Sequence, residues 1–310
     1  LVEGLDAKAP ADTQARQIRD LYTSYLDQAG RNAKGTTPLL PLLGEIDQIS
    51  DQNGLARAFA RSGQLGGGAP FGSWIGADAK APDSHAVYLY QSGLSLPDRD
   101  YYLKTDASSQ VLRQKYEQHI AGMLTRFGET DANAKAKRIL ALETKLAQIQ
   151  WDNVTLRDRE KNYNKGSLGE LKLLAPHIDW NGYLGQAGLA GQQSLIIGQP
   201  SYLAALDGLM QQTPIGDWQA YLKWQLITDY APYLDSKTDA QKASMTREGS
   251  IEVLNMANIP SDKLALGKEV YDSNRDSAGK PGALYRATKH SAGKPPCDSP
   301  VFNPLRTNQT

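Results

Sequence analysis

Between Pro214 and Pro232 the sequence sets Trp218, Tyr221, Leu222, Trp224, Leu226 and Ile227 along one stretch of helical length. Bulky apolar side chains then cover nearly every face of that helix. Such a helix cannot lie on a surface and belongs at the centre of a core. The rest of the chain offers the helices to enclose it. Ile18, Leu21, Tyr22, Tyr25 and Leu26 form one stripe over about 13–29, with Gly30 expected to stop the helix. Pro38 and Pro41 introduce a second helix with Leu42, Leu43, Ile46 and Ile49 inward, and a short third covers about 53–62. Leu112, Tyr116, Ile120, Met123 and Phe127 mark a long helix over about 106–127, with His119 beside the stripe as a core or flank histidine. Ile139, Leu142, Leu146 and Ile149 mark another over about 131–151, capped by Asp131, and the two should pack antiparallel. Shorter helices start at the capping box Ser167-Leu168-Gly169-Glu170, at Asp179-Trp180 and at Pro200. The fold class expected is mainly α.

Two short runs break the helical pattern. Phe71-Gly72-Ser73-Trp74-Ile75 and Ala86-Val87-Tyr88-Leu89-Tyr90 are β-rich and predict a small hairpin within 71–92. Ser194 to Gln199 reads as a short strand or link. Between the hairpin and the long helix lies Gln91 to Leu103, which carries Gly93, Pro97, Asp98 and Asp100 yet also Leu94, Leu96, Tyr101, Tyr102 and Leu103. An ordered, partly buried connection fits that mixture. Pro97 pushes Leu96 into an extended conformation, the two acids can cap backbone N–H groups, and Arg99 between them invites a bidentate pair. Arg157-Asp158-Arg159-Glu160-Lys161-Asn162-Tyr163-Asn164 reads as a solvated charge run or as a buried-edge network, since Tyr163 and Asn164 are out of character for pure surface. Arg99, Asp100, Arg157, Asp158, Lys161 and Tyr163 are therefore expected to anchor segments to one another.

Composition narrows the function. Thirty-four basic residues balance 34 acidic ones over 310 residues, which argues against nucleic acid or a polybasic membrane patch. No run approaches the ~18 apolar residues of a membrane span. Cys297 is the single cysteine, so no internal disulfide forms, and no partner for a catalytic thiol stands near it. The four histidines, His85, His119, His177 and His290, have no second histidine four residues on, so the His-Glu-x-x-His helix of zinc peptidases is absent. Gly66-Gly67-Gly68 lacks the Gly-Lys-Ser/Thr ending of a phosphate loop, and there is no Gly-x-Ser-x-Gly elbow. Asp98 and Asp100 could be imagined as an acid–base pair, but nothing in their spacing sets a separation or a pKa. No catalytic and no metal-binding residue is assigned. Asn153-Val154-Thr155 and Asn308-Gln309-Thr310 fit the glycosylation sequon. A start at Leu1 is expected of a processed product or a fragment. Residues 1–238 are expected to form the helical domain and 239–310, rich in Gly, Lys, Ser, Asp, Asn and Pro, a divergent and flexible tail with one weak helix around Ile251, Val253, Leu254 and Met256.

A series of ordered motifs resembles the neprilysin-type zinc metallopeptidases, bacterial members above all. Leu21-Tyr22-x-Ser24-Tyr25-x-Asp27 resembles the first helix of their N-terminal region, and Gly93-Leu94-x-Leu96-Pro97-Asp98-Arg99-Asp100-Tyr101-Tyr102-Leu103 is the most specific piece. Leu142-Glu143-x-x-Leu146-Ala147, Arg157-Asp158-x-x-Lys161-x-Tyr163-Asn164, Ala175-Pro176-x-x-Asp179-Trp180, Gln199-Pro200-x-Tyr202 and Trp218-x-x-Tyr221-Leu222-x-Trp224 follow in order. The resemblance implies a helical cap that, with a catalytic domain, encloses a chamber admitting peptides. In that family zinc is held by a later His-Glu-x-x-His segment and a downstream Glu-x-x-x-Asp helix, neither of which is present here. The front segment of the family is also missing, and the sequence departs from it after Leu234, as a truncated gene, a shifted frame or a chimera would. The resemblance thus implies a non-catalytic portion, inactive alone, whose partners are the missing catalytic domain and peptide substrates. It favours a secreted or periplasmic location, and zinc belongs to the complete parent enzyme. The alternative reading is a stand-alone helical module that binds peptides or proteins.

Overall fold

The structure, a computed structural model, describes residues 8–10, 13–243 and 245. All that follows concerns the unit spanning residues 1–249. The tail beyond residue 245, with its weak helix, lies outside the described residues, whereas 236–243 are helical and run across the expected boundary at 238.

Helix α1 covers Gln14–Leu26, α2 Gln28–Lys34, α3 Leu40–Asp47 and α4 Gln52–Gln64. Strands β1 (Phe71–Asp78) and β2 (Ala81–Gln91) follow, then α5 (Asp100–Leu103), α6 (Ala107–Arg126) and α7 (Ala132–Ile149). The chain continues through β3 (Asn164–Ser167), α8 (Leu168–Leu174), α9 (Trp180–Gln186), β4 (Ser194–Ile197), α10 (Pro200–Gln212) and α11 (Ile215–Tyr230). The protein is mainly helical, as its periodicity predicts. On α11, Trp218, Tyr221, Leu222, Trp224, Leu226 and Ile227 are at most 2% exposed. Helices α3, α4, α6 and α7 pack against it. One edge of this core is a chain of rings: Trp218 meets Phe59 at 5.5 Å, Phe59 meets Phe71 at 5.9 Å, and Phe71 meets Trp180 at 5.3 Å.

The predicted hairpin is present but is half of a larger sheet with strand order β1-β2-β4-β3. β1 and β2 are antiparallel, β2 and β4 parallel, and β3 and β4 antiparallel. β3, with the sequence Asn-Lys-Gly-Ser, has no strand signature of its own and forms by pairing with β4.

Three local expectations are corrected. Gly30 does not stop the first helix. Asp27 breaks it, and the Asp27 carboxylate accepts the Gly30 N–H at 2.8 Å to start α2, in space that a Cβ on residue 30 would fill. Asp131 stands at the α7 N-cap with φ of 53° and makes no side-chain cap bond. The α1 stripe is not core: no α1 residue is buried, and Ile18, Leu21, Tyr25 and Leu26 are 49–73% exposed.

Candidate functional site

The Gln91–Leu103 connection is held by a single buried carboxylate. Gly93 opens it with φ of 89°, and its carbonyl accepts the Tyr221 hydroxyl at 2.8 Å. A Cβ at residue 93 would collide with that hydroxyl and with the Ala69 carbonyl, so only glycine fits. Two residues on, the Ser95 hydroxyl donates to Glu143 Oε1 at 2.7 Å, and Gln225 Nε2 donates to the same oxygen at 3.2 Å. Glu143 Oε2 accepts the hydroxyls of Tyr102 at 2.9 Å and Tyr116 at 2.7 Å. Glu143 is 0% exposed. It joins the loop to α5, α6, α7 and α11 at one point.

The direction of every bond in this knot is set by donors that cannot accept. Leu96 N–H donates to the Tyr102 oxygen at 2.9 Å, and Trp224 Nε1–H donates to the oxygens of Tyr116 at 2.9 Å and Ser95 at 3.1 Å. Each hydroxyl oxygen already receives an N–H, so each hydroxyl proton points at Glu143. No cation among the described residues takes part. Burial pushes the Glu143 carboxyl up to about 7, against the four hydrogen bonds that favour its charge. Burial, then the Glu143 charge, raises Tyr102 and Tyr116 well above 10, so both remain donors at every physiological pH.

His119 lies against the same knot, edge-on to Trp224 at 5.6 Å. Burial, then the Lys242 charge, lowers it to about 4. The two groups act oppositely on stability. Unfolded Glu143 releases its proton near its ordinary value of 4.5 and the folded one near 7, so its contribution declines as pH rises between them. Unfolded His119 takes up a proton below 6.5 but the folded one only near 4, so its contribution is lost as pH falls through that window. Between pH 4.5 and 6.5 the two offset one another. Urea unfolding of Glu143→Gln is expected to show stability falling as the pH is lowered from 6.5 to 4.5, more steeply than in the unchanged chain. Parallel pH profiles for the two proteins would contradict this account.

The six expected anchors divide. Tyr163 crosses to the hairpin: its hydroxyl donates to Asp78 Oδ1 at 2.7 Å, Lys165 Nζ lies 2.8 Å from Asp78 Oδ2, and Lys80 sits 4.7 Å over the Tyr163 ring. The Lys165 ammonium, the Tyr163 hydroxyl and the Lys80 N–H hold Asp78 well below the usual carboxylate range. Asp158 and Lys161 stay local; Asp158 accepts the N–H groups of Glu160 and Lys161 at 3.1 Å, and Lys161 Nζ is 3.6 Å from its carboxylate. Arg157 is exposed and has no side-chain hydrogen bond or ion pair among the described residues. Asp100 is exposed, 3.6 Å from Lys104. The bidentate pair expected of Arg99 is not made. Asp98 is taken by the Asp100 N–H at 2.7 Å and by Asn153 Nδ2 at 3.1 Å, and Arg99 Nε is buried without a partner among the described residues.

Sequence reading missed Glu143 as a site residue although it stands in a quoted motif. The available signal was a carboxylate next to Leu142 on the apolar stripe of α7. Asp78, at the end of β1, is the buried end of the Tyr163 link. Lys223 was also missed; it is 8% exposed at its side chain, and its Nζ lies 2.6 Å from Glu129 and 2.7 Å from Asp47. These groups hold elements together. The carboxylates of Glu143 and Asp78 and the ammonium of Lys223 are the buried members of these groups.

Residues 1–255 match the family model for the N-terminal domain of peptidase family M13. The chain belongs to that family. This M13 chain is 30% identical to endothelin-converting enzyme 1 of Mus musculus over 249 residues, which is 75% of the chain and 32% of that protein. It therefore spans about a third of the length of the curated relatives it matches. Its fold matches the Mycobacterium tuberculosis zinc metalloprotease Zmp1, solved in complex with an inhibitor, with a TM-score of 0.74 at 29% identity. That match covers 89% of the M13 chain and 45% of Zmp1. PepO from Lactobacillus rhamnosis shares the fold, with a TM-score of 0.63 at 18% identity.

Proposed function

We propose that this chain is the non-catalytic, N-terminal portion of a neprilysin-type zinc metalloendopeptidase and that its role is to shape the chamber into which peptides enter. The observation that carries the reading is the match of its helical unit to under half of a zinc metalloprotease, at a TM-score of 0.74. The family's zinc does not fit the residues present. The sequence has no His-Glu-x-x-His, and among the described residues no three His, Cys, Asp or Glu side chains group as a metal site. The chemistry accordingly belongs to a catalytic portion outside these 310 residues.

Within that reading the Glu143 knot has a clear task. A chamber wall must keep its shape while peptides of different sequence pass it, and a fully satisfied buried polar network specifies one arrangement of the elements it joins. The uncovered α1 stripe supports the same reading, since a helix with an apolar face contributes to a core only when something covers that face. The purified 310-residue chain, supplied with zinc and a set of quenched fluorescent peptides, is expected to release no product. Hydrolysis that a chelator abolishes would sink the proposal.

A further inference from the structure

We propose that the free edge of β1 docks an extended, apolar peptide segment as an added strand. β1 is an outer strand of the sheet. Its register pairs Gly72 with Tyr90, Trp74 with Tyr88 and Gly76 with Ala86. Ser92 N–H donates to the Pro70 carbonyl at 2.9 Å, which marks Pro70–Ser92 as a hydrogen-bonded pair. In an antiparallel ladder such pairs alternate, so Gly72, Trp74 and Gly76 bond to β2 and the backbone groups of Ser73, Ile75 and Ala77 point the other way. The Ala77 carbonyl accepts the Tyr88 hydroxyl at 2.9 Å. The backbone N–H and C=O of Ser73 and Ile75 and the N–H of Ala77 meet no partner among the described residues. These groups repeat every second residue, a spacing that an extended chain matches.

The strand lacks the usual protection of an edge. From Phe71 to Ala77 it has no charge and no proline, and the register shifts only between Ala77 and Asp78, where the free edge ends. The opposite edge of the sheet is different: β3 has four residues and carries Lys165. Short length and lysine are the features that keep an edge from pairing, and β1 has neither over this span. Beside the open groups, Trp74 is 51% and Ile75 is 59% exposed, and Trp74 stacks on Tyr88 at 4.6 Å. A cleft of about 340 Å³ continues from the start of the strand, lined by Gly66, Gly67, Gly68, Ser73, Tyr90 and Tyr183.

A peptide fits this edge better than a second copy of the chain does. Pairing β1 with β1 over Ser73 to Ala77 would cover a length of ~17 Å and bury on the order of a few hundred Å² per copy, against ~800 Å² in a standard stable interface. The absence of charge along the strand selects a segment that is uncharged and apolar. The inference rests on the proposed function only for the source of such a peptide. Its test reads binding without hydrolysis, so that either reading can fail alone.

The test uses the whole chain and a fluorescent, end-blocked hexapeptide of alternating threonine and valine, titrated by anisotropy. Saturable binding is expected. A second peptide carries N-methyl groups on alternate residues, which removes its pairing N–H groups while keeping its side chains, and should bind at least tenfold more weakly. Ile75→Pro deletes an N–H that the hairpin does not use and should weaken binding by a similar factor with an unchanged circular dichroism spectrum. Should the proline variant disturb the fold, Ile75→Lys keeps the backbone and is expected to show the same loss. Equal binding of the methylated peptide, or no binding of either peptide, would overturn the proposal. So would a dimer in sedimentation that Ile75→Lys dissolves, because the occupant would then be a second copy.

Discussion

Replacing Glu143 with alanine is expected to cost the domain on the order of 3–5 kcal/mol, because it strands three buried hydroxyl donors at roughly 1–3 kcal/mol each. The substitution leaves the hydroxyls of Ser95, Tyr102 and Tyr116 with donors aimed at an empty space, and 0% exposure at residue 143 bars bulk water from replacing the carboxylate. None of the hydroxyls can turn away without cost, since each also receives an N–H from Leu96 or Trp224. Domains of this kind are stable by only ~5–15 kcal/mol in total, so the variant should sit close to its unfolding threshold. Glu143→Gln keeps one acceptor and should fall between the two. Urea unfolding with a common slope measures both. A loss below about 1 kcal/mol for the alanine variant would mean that the knot does not hold the loop to α7 and α11.

Trp218→Ala is expected to have a similar effect, by about 3–5 kcal/mol, for a different reason. Trp218 is 0% exposed and packs edge-on against Phe59 at 5.5 Å and Tyr221 at 5.7 Å. Its removal opens a cavity where α4 and α11 meet, and the close-packed rings around it can refill only part of that volume. Trp218→Phe separates packing from polarity. The indole Nε1 has no hydrogen-bond partner among the described residues, so phenylalanine gives up volume while also removing an unsatisfied buried donor. The phenylalanine variant is expected to lose less than half of what the alanine variant loses. Equal losses would show that the indole nitrogen contributes in the folded state.

Trp218 could be picked from its neighbours, because a helix with apolar residues on nearly every face has only one place to go. Glu143 could not, because a charged residue beside an apolar stripe reads the same whether it lies at the rim or at the centre. The loop from Gly93 to Leu103 was legible as ordered and partly buried, yet the pairing read for Arg99 was wrong, since Asp98 bonds to Asn153, 55 residues away. Arg157 and Asp158 likewise read as cross-links but face solvent or their own turn. Tyr163 is out of character in a charge run, while its partner Asp78 carries no such signal. The α1 stripe was visible, and whether it is covered was not.

By itself the sequence determined the helical class, the order of most elements, the hairpin, the central place of α11 and the family. Those follow from periodicity, capping residues and ordered motifs, all of which act within a few turns of chain. Only the tertiary structure decided that β3 exists, that Glu143 is the knot of the domain, that Asp78 receives Tyr163, and that β1 is left with an open edge. Each of these depends on groups brought together from distant parts of the chain, where hydrogen-bond direction and exclusion of water, rather than local preference, set the outcome.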